Sequence, residues 1–261
     1  MTRLLVGTLL LLNVVPAYAE SVSVGGRDQE GMTGAQLNLI QVLERKPAAV
    51  VPVPRNNPSW MTRHEQILAR IDQGEVDLLM IGDSITQSWE DVGRRVWDTY
   101  YGHRRAVNLG FAGDRTEHVL WRLDHGEIEG IAPKLVVVMI GTNNNGGARH
   151  DPPEETAAGI QTILTTLRTR LPLTKILLLG IFPRSASADD PLRRLNVAIN
   201  DHLRAYSDNK QVFFSDLSRY FLDDQGRLSQ HLMPDYLHPN EHGYQVWADG
   251  MKDKIRKLLD E

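Results

Sequence analysis

Five short apolar runs recur along the chain, separated by longer stretches of mixed polarity. A strand that is buried on both faces of a parallel sheet is apolar at nearly every position. The stretches between the runs place apolar residues three and four positions apart, which is typical of amphipathic helices. Strands alternating with helices predict an α/β fold with a parallel sheet covered on both faces. The strands are expected at residues 78–81, 106–109, 135–140, 176–181 and 212–214.

Helix boundaries are marked by turn-forming and capping residues. Gly74 ends a first helix that begins near Trp60. Pro152 and Pro153, followed by two glutamates, start a helix in the favoured way, since proline fits the first turn and acids suit the positive end of the helix dipole. Further helices are predicted over residues 89–97, after Thr116, around 195–203 and at 244–259.

The first 57 residues do not share this alternation. Arg3, an apolar stretch over residues 4–15 and the sequence Ala17-Tyr18-Ala19 have the order of a secretory signal peptide. We therefore predict that residues 1–19 are removed and that the product is secreted or periplasmic, an uncleaved anchor being the alternative. Because the apolar stretch is too short to span a bilayer comfortably, stable membrane insertion after cleavage is not expected.

Residues 20–57 are rich in glycine and then in proline, as in flexible or extended connecting segments. We predict that they form a leader or linker, with one short helix near residues 37–43, that wraps the domain or stays partly mobile. Residues 58–261 are predicted to form the main folded domain.

Composition narrows the function classes. The 261-residue chain is 41% hydrophobic and 24% charged, as in globular domains, and it carries a net charge of −4. Nucleic acid is excluded as a partner, because binding it needs a concentrated positive face and no long basic run occurs. The lack of cysteine rules out disulfides, thiolate catalysis and cysteine-based metal sites.

Polar or glycine-rich loops follow four of the predicted strands. Ligands of parallel sheets bind at the carboxyl ends of strands, so this rule gathers Ser84, Gly113, Asn143 and the loop that begins at Phe182 on one rim. A serine where a strand turns into a helix is well placed to act as a nucleophile. A strand end with a capping Asp83 or Ser84 is the structural alternative.

A serine nucleophile needs a base to take its proton, and histidine is the usual base. His238 lies in the polar loop before the last predicted helix, and Asp235, three residues earlier, could hold its imidazole ring. The same residues could instead form only a turn at the start of the helix. The presence of a serine at the rim favours the catalytic interpretation.

Acyl transfer by a serine also needs hydrogen-bond donors for the oxyanion that develops on the attacked carbonyl. Gly113 can approach a substrate closely and offer its N–H, and Ser84 can offer its own N–H. Asn143 can offer a side-chain amide, or it can stabilise its own turn. That second interpretation is stronger for Asn144 and Asn145.

Two residues beside Gly113 have alternative interpretations. Asp114 and Arg115 could form a solvated loop pair or could line the groove, and the first interpretation is favoured. Trp121, on the apolar face of the next predicted helix, is expected to lie in the core.

Cofactor motifs are not recognisable in the sequence. His231, His238 and His242 with Asp235 match no common metal-ligand spacing, so no metal is predicted. Neither of the two common glycine motifs that bind phosphate occurs, so no other cofactor is predicted.

Four blocks of sequence resemble, in order, those of the SGNH (GDSL-type) hydrolase family: Gly82-Asp83-Ser84, Gly113, Gly141-Thr142-Asn143 and Asp235-x-x-His238. The flanking residues are closer still to the catalytic subunits of intracellular platelet-activating-factor acetylhydrolase. The similar stretches are Asn108-x-Gly110-x-x-Gly113-Asp114, residues 118–123, Leu179-Gly180-x-x-Pro183-Arg184 and the surroundings of Leu237-His238. The resemblance covers roughly residues 58–258.

The resemblance implies a three-layer α/β/α, flavodoxin-like fold with about five parallel strands in the order 2-1-3-4-5. It implies a metal-free serine hydrolase in which Ser84 is the nucleophile, His238 the base and Asp235 its orienting partner. Gly113 and Asn143 are implied to complete the oxyanion hole with the Ser84 N–H.

The expected activity is that of an exported serine esterase acting on short-chain, acetyl-type esters through an acyl-enzyme. Phe182 and Arg184 are expected to contact the substrate, which is a small-molecule, glycan or lipid ester. The similar acetylhydrolase subunits are cytosolic, so the export signal departs from them, and a homodimer is implied only by the resemblance. Two alternatives stay open: a glycan O-acetyltransferase using the same site, and a non-catalytic glycan-binding module with the same fold.

Overall fold

A five-stranded, wholly parallel sheet lies at the centre of the computed structural model, which describes residues 45–147 and 149–261. The order of strands across the sheet is β2-β1-β3-β4-β5. The predicted α/β fold and strand order are therefore confirmed. The strands are β1 Leu78–Gly82, β2 Ala106–Gly110, β3 Leu135–Met139, β4 Lys175–Leu179 and β5 Val212–Ser215.

Seven α-helices accompany the sheet in the described part of the chain. Most begin near their predicted positions. The helix predicted over residues 89–97 begins only at Arg94, because Ser88–Glu90 form a separate 3-10 turn. The last helix begins at Glu241 rather than near residue 244, because the Asn240 side chain caps it by accepting the Gly243 N–H at 3.0 Å. The helices are α1 Pro58–Ile71, α2 Ser84–Gln87, α3 Arg94–Tyr100, α4 Thr116–Asp124, α5 Pro153–Arg170, α6 Pro191–Arg204 and α7 Glu241–Leu259.

The strands separate two hydrophobic cores, because successive side chains of a strand point to opposite faces. In β1, Leu79 and Ile81 join the core formed with α1, α4, α5 and α6, whereas Leu78 and Met80 join the core formed with α2, α3 and α7. The fold therefore has three layers. The fourth strand is shorter than predicted, since the Ile181 N–H donates to the Asn200 side chain at 2.7 Å instead of to a neighbouring strand.

The carboxyl ends of the strands meet at one rim of the sheet. Gly82 of β1 is in register with Gly110 of β2 and with Met139 of β3. The loops that carry the predicted site residues leave from these ends. This parallel arrangement brings residues far apart in sequence to the same edge.

Part of the predicted leader packs on the domain. Ala49 is fully buried, and its carbonyl accepts a hydrogen bond from Thr116 Oγ1 at 2.8 Å. The compact unit that contains the sheet begins at Lys46. The predicted signal peptide and the short helix expected near residues 37–43 lie outside the described residues. Every helix in the described part is too short or too polar to cross a membrane.

Candidate active site

Ser84 lies where β1 turns into α2. Asp83 caps this helix, its Oδ1 accepting the Ile85 N–H at 3.0 Å. Gly82 permits the turn, since a Cβ there would lie 2.1 Å from Thr86 Oγ1 and 2.6 Å from the Met139 carbonyl oxygen. The result is a partly buried serine at the first position of the helix, and its N–H has no carbonyl one turn earlier in the helix to bond.

The three residues predicted to form a catalytic triad are linked by a continuous chain of hydrogen bonds. Ser84 Oγ lies 3.0 Å from His238 Nε2, and His238 Nδ1 lies 2.6 Å from Asp235 Oδ2. The other carboxylate oxygen of Asp235 accepts the N–H groups of Leu237 at 3.0 Å and His238 at 2.7 Å. Both imidazole nitrogens therefore have a partner, which holds the ring in an orientation that suits a base.

The loop that carries His238 is held at several points. Tyr236 adopts a positive φ of 59°, uncommon for a residue with a side chain, and its carbonyl accepts the Ser185 N–H at 2.8 Å. The Asn240 side chain donates to the His231 carbonyl at 2.8 Å. These contacts fix a turn that would otherwise be free to move on the surface.

The electrostatics of Asp235 suit an ionised partner for histidine. Burial raises the pKa of its carboxyl, but the hydrogen bonds from His238 and Leu237 outweigh burial and bring the pKa below its usual value. Asp235 therefore carries a full negative charge at neutral pH, and this charge can stabilise an imidazolium ion.

Gly113 and Asn143 lie at the neighbouring strand ends. Gly113 has a positive φ of 77°, and in the described part of the chain its N–H donates to no acceptor. Asn143 Nδ2 donates one hydrogen to the Asp114 carbonyl at 2.9 Å, which leaves the second amide hydrogen for a ligand. That contact fixes the Asn143 side chain against the loop that contains Gly113. The Asn143 amide and the Gly113 N–H are therefore held close together.

Asn144 and Asn145 are fully buried and have structural contacts. Asn144 accepts the Thr116 N–H at 3.1 Å and donates to Asp151 Oδ2 at 2.9 Å. Asn145 donates to Asn196 Oδ1 at 3.0 Å. The structural interpretation of these two asparagines agrees with these contacts.

The expectation that Asp114 is solvated is wrong. Its side chain is 0% exposed and accepts Trp60 Nε1–H at 2.7 Å and Arg122 Nε–H at 2.9 Å. Arg122 also pairs with Glu127, whose other oxygen lies 2.9 Å from His64 Nδ1. Burial raises the pKa of Asp114 to about 6, although Arg122 opposes that change. Asp114, Arg122 and Glu127 thus form a buried charged cluster that packs against the Gly113 loop on its core side.

Arg115 and Trp121 also differ from their expected surroundings. The Arg115 guanidinium is largely covered, and one of its nitrogens donates to the carbonyls of Gly146 and Arg149, each at 3.0 Å. Trp121 is partly buried, packs against the core and stacks on His125 with ring centroids 3.7 Å apart. Neither is the simple solvated or core residue that was expected.

Phe182 does not lie where a substrate could touch it. It was expected to contact the substrate, but its ring is 1% exposed and packs against Phe221 and Trp247, with centroids 4.5 and 4.9 Å away. The structure places this ring in the core beneath α7. Arg184 is half-buried and donates to the Thr142 carbonyl at 3.2 Å, beside the Asn143 turn. Its role in specificity stays a prediction.

Sequence reasoning missed Arg55. Its guanidinium donates to the Ala112 carbonyl and lies so close to Gly113 that a Cβ on that glycine would be 2.4 Å from Arg55 Nη1. No local pattern distinguishes Arg55 within the segment that was predicted to be a leader. Its contact with the Gly113 loop depends on the fold and is visible only in the structure.

The metal-ligand side chains of the described residues include no group of three or more placed to hold an ion. His231 and His242, considered as ligands from the sequence, stack on each other with ring centroids 4.8 Å apart. The metal-free mechanism stays a prediction for experiment.

Comparison with known proteins gives consistent matches. Residues 80–246 match the GDSL-like Lipase/Acylhydrolase family. The chain is 36% identical over 203 residues to platelet-activating factor acetylhydrolase IB subunit alpha2 from Rattus norvegicus, covering 77% of this chain and 86% of the relative. It is 34% identical over 217 residues to subunit alpha1 from Bos taurus, covering 83% and 90%.

Solved structures share the fold at lower sequence identity. One described as a putative platelet activating factor from Streptococcus pneumonia has a TM-score of 0.60 and 24% identity, covering 86% of this chain and all of its own. An acetylxylan esterase from Geobacillus stearothermophilus has a TM-score of 0.55 and 20% identity, covering 71% and 94%. Fold, motifs and relatives agree, and the chain belongs to the GDSL-like lipase/acylhydrolase family and is a carboxylic ester hydrolase.

Proposed function

We propose that the protein hydrolyses short-chain, acetyl-type esters through a covalent acyl-enzyme on Ser84. The observation that carries this proposal is the continuous hydrogen-bond chain from Ser84 Oγ, through both nitrogens of His238, to Asp235. Such a chain converts a weakly nucleophilic hydroxyl into one whose proton can leave as the new bond forms.

In the first half-reaction, Ser84 Oγ attacks the ester carbonyl carbon and its proton passes to His238 Nε2. The electron pair of the carbonyl moves to its oxygen. When the tetrahedral intermediate collapses, the bond to the alcohol oxygen breaks and His238 returns the proton to the departing alcohol. An acyl group then remains on Ser84.

In the second half-reaction, water replaces the alcohol. His238 Nε2 takes one proton from water as the water oxygen attacks the acyl carbon, and it then gives that proton to Ser84 Oγ as the carboxylic acid leaves. The N–H groups of Ser84 and Gly113 and the free amide hydrogen of Asn143 would stabilise the negative oxygen in both halves. Losing one such donor typically costs about 10²–10³ in kcat.

The acetyl preference is supported by the names of the similar proteins. The curated relatives are named acetylhydrolase subunits, and a structure with the same fold is named an acetylxylan esterase. An acyl-chain series of 4-nitrophenyl acetate, butyrate and octanoate tests the preference. We expect kcat/KM to fall steadily with chain length, and the highest value for octanoate would contradict the acetyl assignment.

Ser84→Ala is the direct test of the proposed nucleophile. Hydrolysis of 4-nitrophenyl acetate should fall by at least about 10³-fold, because no nucleophile remains to form the acyl-enzyme. Ser207→Ala, at the opposite edge of the sheet, is the matched control and should keep wild-type turnover. Turnover by folded Ser84→Ala equal to wild type would reject Ser84.

The metal-free mechanism is tested by treatment with EDTA. Activity should persist, because the proposed steps use only the side chains and N–H groups of the site. A loss of activity that is restored by adding a divalent metal would contradict the mechanism.

Export of the mature protein is also proposed, on the order of charged, apolar and small residues at the start of the chain. Expression of the full chain in a bacterial host followed by fractionation and N-terminal sequencing tests it. We expect an exported form that begins at Glu20. A full-length protein confined to the cytoplasm would contradict the proposal.

A further inference from the structure

A polar cleft adjoins the Gly113 loop and has no role in the steps proposed so far. It has a volume of about 420 Å³, within the usual range for small-molecule sites, and Ala112 forms part of its wall. The Ala112 N–H donates to Gln87 Oε1 at 2.6 Å, so the wall connects Gly113 with the end of α2, which begins at Ser84. The cleft thus lies next to the proposed reaction centre.

The lining of this cleft combines polar side chains with apolar surface, and the described residues that form it include no acid. Two buried rings, Trp60 and Phe111, are covered by side chains that can donate or accept hydrogen bonds. Such a lining suits a hydroxyl-rich ligand better than a fatty chain. The polar and charged side chains are Arg55, Asn57, Ser59, Thr62, Arg63, Gln66 and Gln87.

The two arginines of the cleft differ in charge balance. Arg63 is neutralised by Glu90, which accepts from both of its terminal nitrogens at 2.8 and 2.7 Å. Arg55 has no carboxylate partner among residues 45–147 and 149–261, and its one hydrogen bond goes to the uncharged Ala112 carbonyl. Within the described part of the chain, four of its five guanidinium hydrogens are therefore free for a ligand.

The positive field of Arg55 extends over the Gly113 loop. Burial lowers the pKa of His118 to about 3, and the charges of Arg55 and Arg115 add to that effect. Arg115 itself has one buried guanidinium nitrogen without a hydrogen-bond partner. The neighbouring arginines are each within 4.0 Å of a carboxylate, so Arg55 is the cation of this region whose charge no described carboxylate balances. The paired arginines are Arg63, Arg115, Arg122 and Arg149.

We propose that this cleft binds the alcohol portion of the ester and that Arg55 selects sugar-like alcohols that carry an anionic group. The inference rests on the proposed function, because a short acyl group leaves the alcohol as the only part large enough to reach the cleft. A guanidinium recognises carboxylate and phosphate alike through paired hydrogen bonds. The anion is therefore the carboxylate of a sugar acid or the phosphate of a sugar phosphate.

The test compares three pyranoses that differ only at C6: glucose, glucuronate and glucose 6-phosphate. Dissociation constants come from NMR titration of the full chain at constant ionic strength, so that binding is measured independently of activity. At least one anionic sugar should bind about tenfold more tightly than glucose, as expected for a charge-assisted hydrogen bond. The tighter of the two identifies the anion.

Variants at Arg55 separate charge from shape. Arg55→Gln should reduce the preference for anionic over neutral sugar to less than about twofold. Arg55→Lys should keep part of the preference, since the ammonium retains the charge but cannot donate the paired hydrogen bonds of a guanidinium. Arg168→Gln, at the far end of α5, removes an exposed arginine and is the matched control that should keep the full preference.

The outcomes separate the two proposals. Equal affinities for the three sugars, or a preference unchanged in Arg55→Gln, would overturn the anionic subsite even if 4-nitrophenyl acetate is hydrolysed. A preference that depends on Arg55 in a protein without esterase activity would support the subsite and contradict the proposed function.

Discussion

Two aspartates, Asp235 and Asp114, each contact a basic side chain, and their surroundings give the two pairs opposite properties. In the Asp235–His238 pair, the side chains are 55% and 41% exposed, and hydrogen bonds lower the pKa of Asp235 despite partial burial. In the Asp114–Arg122 pair both side chains are 0% exposed, and burial raises the pKa of Asp114 to about 6. In the proposed mechanism the first pair takes part in proton transfer, whereas the second pair has no access to a substrate and holds the structure.

The difference shows how one residue type serves two purposes. An exposed pair contributes little to stability because water screens its charges, so it is free to serve chemistry. A buried pair contributes a fixed geometry, and breaking it leaves an uncompensated charge in a medium of low dielectric constant. Substitutions in the two pairs should therefore affect different measurements.

Among substitutions in the two pairs, Asp235→Asn should cause the largest loss of activity, and this loss should appear in kcat. The asparagine Oδ1 can still accept the backbone N–H groups, but its NH₂ faces His238 Nδ1 and favours the wrong tautomer. We expect kcat for 4-nitrophenyl acetate to fall by about 10²–10⁴, less than in Ser84→Ala. The free energy of unfolding should change by less than about 1 kcal/mol, since the pair is exposed. A larger loss of activity than in Ser84→Ala would contradict the orienting role.

Arg122→Ala should cause the largest effect on stability. Asp114 and Glu127 would both lose their cation, and removing one member of a buried pair costs about 3–5 kcal/mol. Urea unfolding measures this loss, with Arg122→Lys as a second variant if the alanine protein does not fold. The matched control is Arg94→Ala, in an exposed pair with Asp98, which should cost less than about 1 kcal/mol. Equal losses of unfolding free energy in Arg122→Ala and Arg94→Ala would contradict the claim that the buried pair contributes more to stability than the exposed pair.

Asp83→Asn should change how stability depends on pH. Burial raises the pKa of Asp83 from 3.8 to about 7, so the native state holds a proton that the unfolded state has lost between these values. Wild-type stability therefore falls as pH rises from about 4 to about 7, and it changes no further from this group above that.

The measurement for Asp83 is urea unfolding of both proteins at pH 4 and pH 8. Asparagine can still accept the Ile85 N–H but does not titrate. The free energy of unfolding of the variant, relative to that of wild type, should therefore be higher at pH 8 than at pH 4 by about 1–3 kcal/mol. A difference between the proteins that is the same at both pH values would show that Asp83 does not titrate in this window.

Trp60→Phe should have the smallest effect. It removes the indole N–H that donates to Asp114 and leaves an aromatic ring in the core. A hydrogen bond to a charged group contributes about 1.5–3 kcal/mol, and the remaining contacts to Arg122 reduce the net loss to about 1–2 kcal/mol in urea unfolding. A loss as large as that of Arg122→Ala would mean that Trp60, not the ion pair, anchors Asp114.

The residues at the rim could be predicted because strand periodicity determines where they must lie. Apolar runs that end in Gly82 or Gly141 indicate strands that stop at a turn, and parallel strands bring those turns to one edge. Ser84, Gly113 and Asn143 are therefore neighbours by topology. Their hydrogen bonds required the structure, since the sequence alone left Asn143 with two interpretations.

The buried cluster below the rim could not be predicted with the same reasoning. Asp114 lies in a glycine loop, where an acid is ordinarily solvated, and its partners are 54 residues before it and 8 after it. One signal was present: Arg122 lies three residues after Val119, on a face of α4 that packs into the core, and a buried arginine needs a carboxylate.

Phe182 and Arg55 show two other limits. The loop position of Phe182 predicts exposure, but the contact with Trp247 of α7, far along the chain, buries it. Arg55 lies in a proline-rich segment with no periodicity, so its approach to Gly113 depends entirely on tertiary packing.

A fluorophosphonate probe tests the central claim most directly, because it reacts covalently only with an activated nucleophile. The protein is labelled with one equivalent of probe, activity toward 4-nitrophenyl acetate is followed, and the modified peptide is identified by mass spectrometry. We predict stoichiometric modification of Ser84 with loss of activity in parallel, and slow labelling in Asp235→Asn. Labelling at another residue, or full activity after Ser84 is modified, would contradict the assignment of Ser84 as the nucleophile.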